Sequence, residues 1–167
     1  LRAQQGFMRT MIVRTTSAGE LMVIIVFGKD AEESADLEAT EKRNALLDAI
    51  LQAFPEINSL YYVINPKGND TINDLDCILY KGEDAIYEKM EALRFKIGPK
   101  SFYQTNSEQA YRLYSVVREY VREAISEMPK SYKPVIYDLY TGTGTIALFL
   151  SPVASKVVGI EYVPEAI

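Results

Sequence analysis

The residues of this sequence that could do chemistry lie close to its end. Asp138-Leu139-Tyr140-Thr141-Gly142-Thr143-Gly144-Thr145 is followed, nineteen residues after Gly142, by Glu161. Glycines at this spacing let a backbone turn tightly off a strand and let a ligand approach the turn's amides. A helix that starts at such a turn adds partial positive charge at its N-terminus. An acid at the end of the next strand accepts two hydrogen bonds from a ribose diol. Gly142-x-Gly144-x-x-Ala147 with Glu161 thus matches the looser form of a nucleoside-binding fingerprint. The bland alternative is a tight turn in any α/β sheet, with Glu161 a solvated strand end.

Two ligands fit that pattern, a nicotinamide or flavin dinucleotide and S-adenosylmethionine. Asp138 bears on the choice, since it stands four residues before Gly142, at the carboxyl end of its strand. Its charge would repel a pyrophosphate and attract a sulfonium with an α-amino group. The loop therefore suits a cationic aminoacyl nucleoside better, although an acid here also fits a helix-capping or loop-bracing role.

The elements that position these residues follow from pattern. Val135-Ile136-Tyr137-Asp138-Leu139-Tyr140 reads as a strand, residues 145–150 as the start of a helix, and Val157-Val158-Gly159-Ile160-Glu161 as the next strand. Upstream, Thr105 and Glu108 stand at capping-box spacing before a helix with Tyr111, Leu113, Tyr114, Val117, Tyr120, Val121 and Ile125 as its apolar stripe. Gly98-Pro99 marks a boundary. Before it, residues 7–15 alternate as a half-buried strand, residues 17–19 turn, and residues 20–28 form a continuous apolar, hence central, strand. Residues 31–54 carry helical spacing, with Leu37, Ala45, Leu46, Ala49, Ile50 and Ala53 on one face. Further strands are expected at 60–64, 77–80, 86–90 and 93–97. The fold class is α/β: an α+β domain with antiparallel strands over residues 1–98, then, over 99–167, the first β-α-β of a Rossmann-like sheet.

Composition excludes whole classes of chemistry. The 167 residues contain no His, no Trp and one Cys, with 18 Lys and Arg against 23 Asp and Glu, for a net charge of −5. Without His there is no Ser-His-Asp triad and no zincin motif. One Cys forms no internal disulfide, zinc ribbon or complete iron–sulfur site. The acidic balance argues against a free-standing nucleic-acid module. The longest apolar run, Leu21–Phe27, is far too short to span a bilayer. The lone Cys and the lack of a signal peptide suit a reducing, cytoplasmic setting without a membrane.

The glycine-loop segment, followed by Val157-Val158-Gly159-Ile160-Glu161-Tyr162-Val163-Pro164-Glu165-Ala166, resembles the first methyltransferase motif of the RNA uracil-5-methyltransferases. Gly98-Pro99-Lys100-Ser101-Phe102-Tyr103-Gln104-Thr105-Asn106 is similar to the segment joining that family's central and catalytic domains. Met8-Arg9-Thr10-Met11-Ile12-Val13-Arg14 with Gly19-Glu20-Leu21-Met22-Val23 is similar to its central-domain hairpin. The resemblance implies S-adenosylmethionine as cofactor and an RNA substrate, ribosomal RNA ahead of transfer RNA. It also implies that Gln104 contacts the donor, Tyr140 lines its pocket, Glu161 holds the ribose hydroxyls, and Asp138, Gly142 and Gly144 shape the loop. Gln104 could instead satisfy backbone groups before the helix, and Tyr140 could be a core aromatic.

This sequence departs from the family in Thr141, often Cys there, and in Thr145, Asn in some members. Methylating carbon 5 of uracil needs a nucleophile at carbon 6 and a base for the carbon 5 proton. The family's Cys and Glu for these steps come from late motifs, and no such motif is present. Cys77 reads as a small core or strand residue. The four Cys that hold an iron–sulfur cluster in many ribosomal-RNA members would have to precede Leu1. The expectation is therefore an inactive fragment of an active parent, with Val157, Val158 and Ile160 poorly covered unless the piece associates with itself. Two other readings stay open: a fragment of a dinucleotide-dependent oxidoreductase, and a non-enzymatic RNA-binding module with Arg9, Arg14, Arg94, Lys96 and Lys100 as its patch.

Overall fold

A computed structural model describes residues 6–31 and 37–162. The chain divides into two compact units, Leu1–Tyr87 with Gly98–Lys100, and Glu88–Ile97 with Ser101–Ile167. The architecture is mixed α/β, as expected.

The first unit is built on a four-stranded sheet in the order β1 (Met8–Thr15), β2 (Leu21–Phe27), β3 (Ser59–Ile64), β4 (Ile78–Gly82). β1 and β2 pair antiparallel across the Gly19 turn, whose φ is +83°. β2 and β3 pair parallel, with helix α1 (Leu37–Ala53) between them in sequence, and β4 returns antiparallel to β3. The continuous apolar run places β2 in the middle of the sheet. Met22, Ile24 and Val26 are buried on one face, and Val23, Ile25 and Phe27 on the other. Val23, Ile25 and Phe27 pack with Leu60, Tyr62 and Leu47 in one cluster. Each such side chain removed from water contributes roughly 1.5–3 kcal/mol.

α1 turns a different face inward from the one its small residues suggest. Ala39, Arg43 and Leu47 are buried and Leu46 and Ile50 of the expected face pack partly buried against the core, whereas Leu37, Ala45, Ala49 and Ala53 are exposed. The cause is Arg43, only 2% exposed, whose guanidinium donates to the Ala31 carbonyl at 2.9 Å and lies 4.5 Å over the Tyr62 ring. Its aliphatic stem serves as apolar filling while its charge is met by a carbonyl and an aromatic face. The described part of the helix begins at Leu37; residues 32–36 of the expected helix lie outside the described residues.

A second buried cation shapes the loop between β3 and β4. Arg9, its side chain 6% exposed, donates to the carbonyls of Asn65 at 2.9 Å and Asn69 at 3.1 Å and pairs with Asp70 at 3.1 Å. The amide of Asn65, itself fully buried, donates to the Asn69 carbonyl at 2.8 Å. Arg9 is thus committed to folding and is lost to the expected basic patch. Cys77 is half-buried just ahead of β4, outside the core and outside the strand. Burial is the main influence on its thiol and pushes the pKa up, with Asp76 adding to the rise and Lys100 and Arg14 opposing it.

In the second unit, β5 (Ile86–Met90) and β6 (Leu93–Ile97) form a two-stranded sheet, β5 beginning two residues inside the first unit. Met90 and Phe95 pack with Ala110 and Tyr114 of helix α2 (Ser107–Ala124) and with Phe149 and Leu150 of helix α3 (Thr145–Leu150). The hairpin that the sequence groups with residues 1–98 thus packs mainly into the C-terminal core. Asn106, one residue beyond the expected Thr105, caps α2 by accepting from the Gln109 amide at 3.0 Å. Of the expected stripe only Tyr114 is fully buried, with Ala110 beside it, while Leu113 and Tyr120 are exposed. β7 (Val135–Leu139) and β8 (Lys156–Ile160) pair parallel around α3. Val157 and Val158 are partly buried and Ile160 exposed, as are Val135, Tyr137 and Leu139 along β7. Among the described residues no helix is long and apolar enough to cross a membrane.

Two glycines separate backbone strain from close approach. Gly19 has open space around a built Cβ, whereas at Gly82, with φ +90°, a Cβ would sit 2.1 Å from the Asn58 carbonyl oxygen. Gly19→Ala is expected to destabilise by about 1 kcal/mol through its backbone conformation alone. Gly82→Ala adds a clash with backbone and should cost about 2–4 kcal/mol. Urea unfolding of the two variants checks the order.

Candidate functional site

The glycine loop is fixed by the ends of the two parallel strands that flank it. Asp138 is opposite Gly159, and Leu139 opposite Ile160. The ladder runs one step further, because the Thr141 amide donates to the Ile160 carbonyl at 3.0 Å. Beyond that point three residues take left-handed backbone: Tyr140 at φ +65°, Gly142 at +54° and Gly144 at +73°. Gly144 is the N-cap of α3, and its carbonyl accepts from the Leu148 amide at 2.8 Å. Glycine meets these demands without strain, and tyrosine does not.

Asp138 holds the turn together. Its Oδ2 accepts from the Thr141 hydroxyl at 2.7 Å and from the Ala147 amide, in the first turn of α3, at 3.0 Å. The carboxylate thus braces the loop and caps the helix, the role the sequence left open beside its attraction for a cation. It satisfies one of the orphan amides at the helix start and places negative charge where the helix dipole favours it. Asp138 also reaches Tyr114 electrostatically. Burial chiefly pushes the Tyr114 hydroxyl pKa up, and the Asp138 charge adds to the rise.

Glu161 closes the site from the end of β8. Its Oε2 accepts from the Gly142 amide at 2.8 Å, and its Oε1 from the Tyr162 amide at 2.9 Å. Asp138, Gly142, Gly144 and Glu161 are therefore brought into one bonded constellation. Tyr140 projects from the same loop and is 89% exposed, so it is no core aromatic. Gln104 is exposed in the irregular segment ahead of α2, and no hydrogen bond joins it to the loop among the described residues. Phe149 seats α3 on its unit, with Tyr111 and Tyr114 rings each 5.9 Å away and the Arg118 guanidinium 4.2 Å over its face.

Gly159 is a site residue that motif reading passed over. A Cβ there would lie 2.9 Å from Thr141 Cγ2 and 3.0 Å from its Oγ1. The strand must be bare at that point for Thr141 to reach Asp138. The signal was present in the sequence, since Gly159 stands between the β-branched Val158 and Ile160 of its strand, and an isolated glycine in a strand marks close approach. Among the described residues no cluster of three or more His, Cys, Asp or Glu is placed to hold a metal ion.

No family model matches the chain. A Bacteroides thetaiotaomicron protein named uncharacterized RNA methyltransferase is 54% identical over all 167 residues, which cover 34% of that protein. A Porphyromonas gingivalis protein of the same name is 55% identical over the whole chain, which covers 33% of it. A Staphylococcus aureus protein, also named uncharacterized RNA methyltransferase, is 35% identical over 98% of the chain. The crystal structure of Pyrococcus abyssi tRNA (uracil-54, C5)-methyltransferase in complex with S-adenosyl-L-homocysteine matches 98% of this chain and 35% of that one, at a TM-score of 0.68 and 25% identity. The chain spans about a third of the length of the curated relatives it matches. Over its full length the chain is thus similar to proteins named RNA methyltransferases, as the resemblance of its glycine loop implies.

Proposed function

We propose that this chain is the central region and the start of the donor-binding domain of an S-adenosylmethionine-dependent enzyme that methylates carbon 5 of a uridine in RNA. One observation carries the reading: strand, glycine loop, helix, strand and acid are bonded into a single cradle through Asp138 and Glu161. That cradle lies in a chain whose relatives are RNA methyltransferases, and a structural neighbour was solved with S-adenosyl-L-homocysteine. Both facts favour the aminoacyl nucleoside over a dinucleotide.

The residues present fit the donor. Glu161 offers a carboxylate beside the loop, its oxygens accepting from the Gly142 and Tyr162 amides, and a carboxylate is the acceptor a ribose diol calls for. Gly142 and Gly144 keep the loop surface free of side chains, Tyr140 lines it, and Gln104 offers a side-chain amide from the segment ahead of α2. When bound, the donor supplies a methyl group on a positively charged sulfur. Asp138 places its charge behind the loop and keeps the helix start in register. The nucleophile that adds to carbon 6 and the base that takes the carbon 5 proton belong, in this reading, to late motifs outside the chain. Cys77 does not fit the nucleophile's role, being half-buried with its thiol pKa pushed up by that burial. Ribosomal RNA is the expected substrate and the setting cytoplasmic; the Pyrococcus abyssi neighbour's transfer RNA supplies the competing substrate.

Three outcomes are expected. In the full-length protein, calorimetry should show binding of S-adenosyl-L-homocysteine and none of NADH, and Glu161→Ala should weaken the former by about tenfold or more, the loss of charge-assisted hydrogen bonds. NADH binding with no S-adenosyl-L-homocysteine binding would reverse the reading. Gly159→Ala should displace Thr141, destabilise the fold by about 1–3 kcal/mol and weaken the same ligand. Transfer of labelled methyl to ribosomal or transfer RNA should occur with the full-length protein on one of the two substrates and should be absent with residues 1–167 alone.

A further inference from the structure

Glu88 is a carboxylate that the proposed chemistry does not use, yet it is 1% exposed, near the centre of β5. Its Oε2 accepts from the Ser107 hydroxyl at 2.6 Å and its Oε1 from the Lys89 amide at 3.0 Å. A buried carboxylate is expensive, and an apolar side chain of similar size would fill the same space without that penalty. What the carboxylate adds is direction, because it holds a hydroxyl-bearing partner at one distance and one angle.

That partner is the first residue of α2, directly after the Asn106 cap. Residues 101–106 ahead of it have no regular structure, and besides the Asn106 cap two side chains tether the segment. One is the Tyr103 ring, packed into the second unit's core 6.1 Å from the Phe95 ring. The other is Ser107, bonded to Glu88. Gln104 lies between the two tethers and is itself exposed. We propose that Glu88 is a positioning residue for the methyl donor: through Ser107 it fixes the exit of the 101–106 segment and so sets the side-chain amide of Gln104. This rests on Gln104 being a donor contact, as read above.

The test is calorimetric titration of the full-length protein with S-adenosyl-L-homocysteine, with a thermal melt of each variant. Gln104→Ala, Glu88→Gln and Ser107→Ala should each weaken binding by about three- to tenfold. Ser107→Thr, which keeps the hydroxyl, should restore most of the affinity lost in Ser107→Ala. The Gln104→Ala and Glu88→Gln changes together should weaken binding no more than Gln104→Ala alone, because one acts through the other. A purely stabilising role for Glu88 would lower the melting temperature and leave affinity untouched. Should Gln104→Ala bind as the parent does, the donor contact is wrong and the positioning role falls with it. Should Gln104→Ala lose affinity while Glu88→Gln and Ser107→Ala keep it, or should the double change multiply the single effects, the positioning role alone is overturned.

Discussion

The carboxylate of Asp138 receives the Thr141 hydroxyl and the Ala147 amide, and the shape of the glycine loop rests on those two bonds. One bond fixes the chain where it leaves the strand, and the other fixes it where it enters the helix. Between them the backbone passes through left-handed conformations that no regular ladder would hold. Glu161 then fastens the loop from the neighbouring strand through Gly142. Gly159 lets Thr141 lie flat against that strand. The three features are interdependent, since Thr141 cannot reach Asp138 unless position 159 is bare.

The rest of the molecule uses buried charge in the same way. Arg9 collects carbonyls and one carboxylate of the β3–β4 loop, Arg43 sits between a carbonyl and the Tyr62 ring, and Glu88 takes the start of α2. Arg9 meets carbonyls as well as Asp70, Arg43 a carbonyl and a ring, and Glu88 a hydroxyl and an amide, contacts that give shape to irregular segments that apolar packing would leave loose.

Much of this was legible in the sequence. Continuous apolar residues marked β2 as central, alternation marked β1, and the order of strand, glycine turn, helix, strand and acid marked the glycine loop and the elements around it. Illegible were the features that depend on a particular rotamer or partner. Helical spacing in α1 points to Leu46 and Ile50, which pack against the core, and to alanines that stay exposed, while Arg43 shares the inner face because its guanidinium finds a carbonyl and a ring there. Thr105 and Asn106 are both competent caps, and only the path of the preceding chain selects the second. Asp138 could face a ligand or its own loop, and residue type alone does not distinguish these. Of the five basic residues that could form a surface patch, Arg9 is folded inward, which its residue type alone does not foretell.

Tyr140 carries an L side chain through a backbone region that costs about 1–2 kcal/mol to occupy, while almost all of that side chain lies in water. Neither burial nor packing offsets the expense at that position, so it is borne by the neighbouring bonds of Thr141 and Gly142. A turn stretched in this manner before any guest arrives has already surrendered its conformational freedom. A nucleoside settling on it would find the aromatic ring already presented, and little entropy would remain to be lost on association.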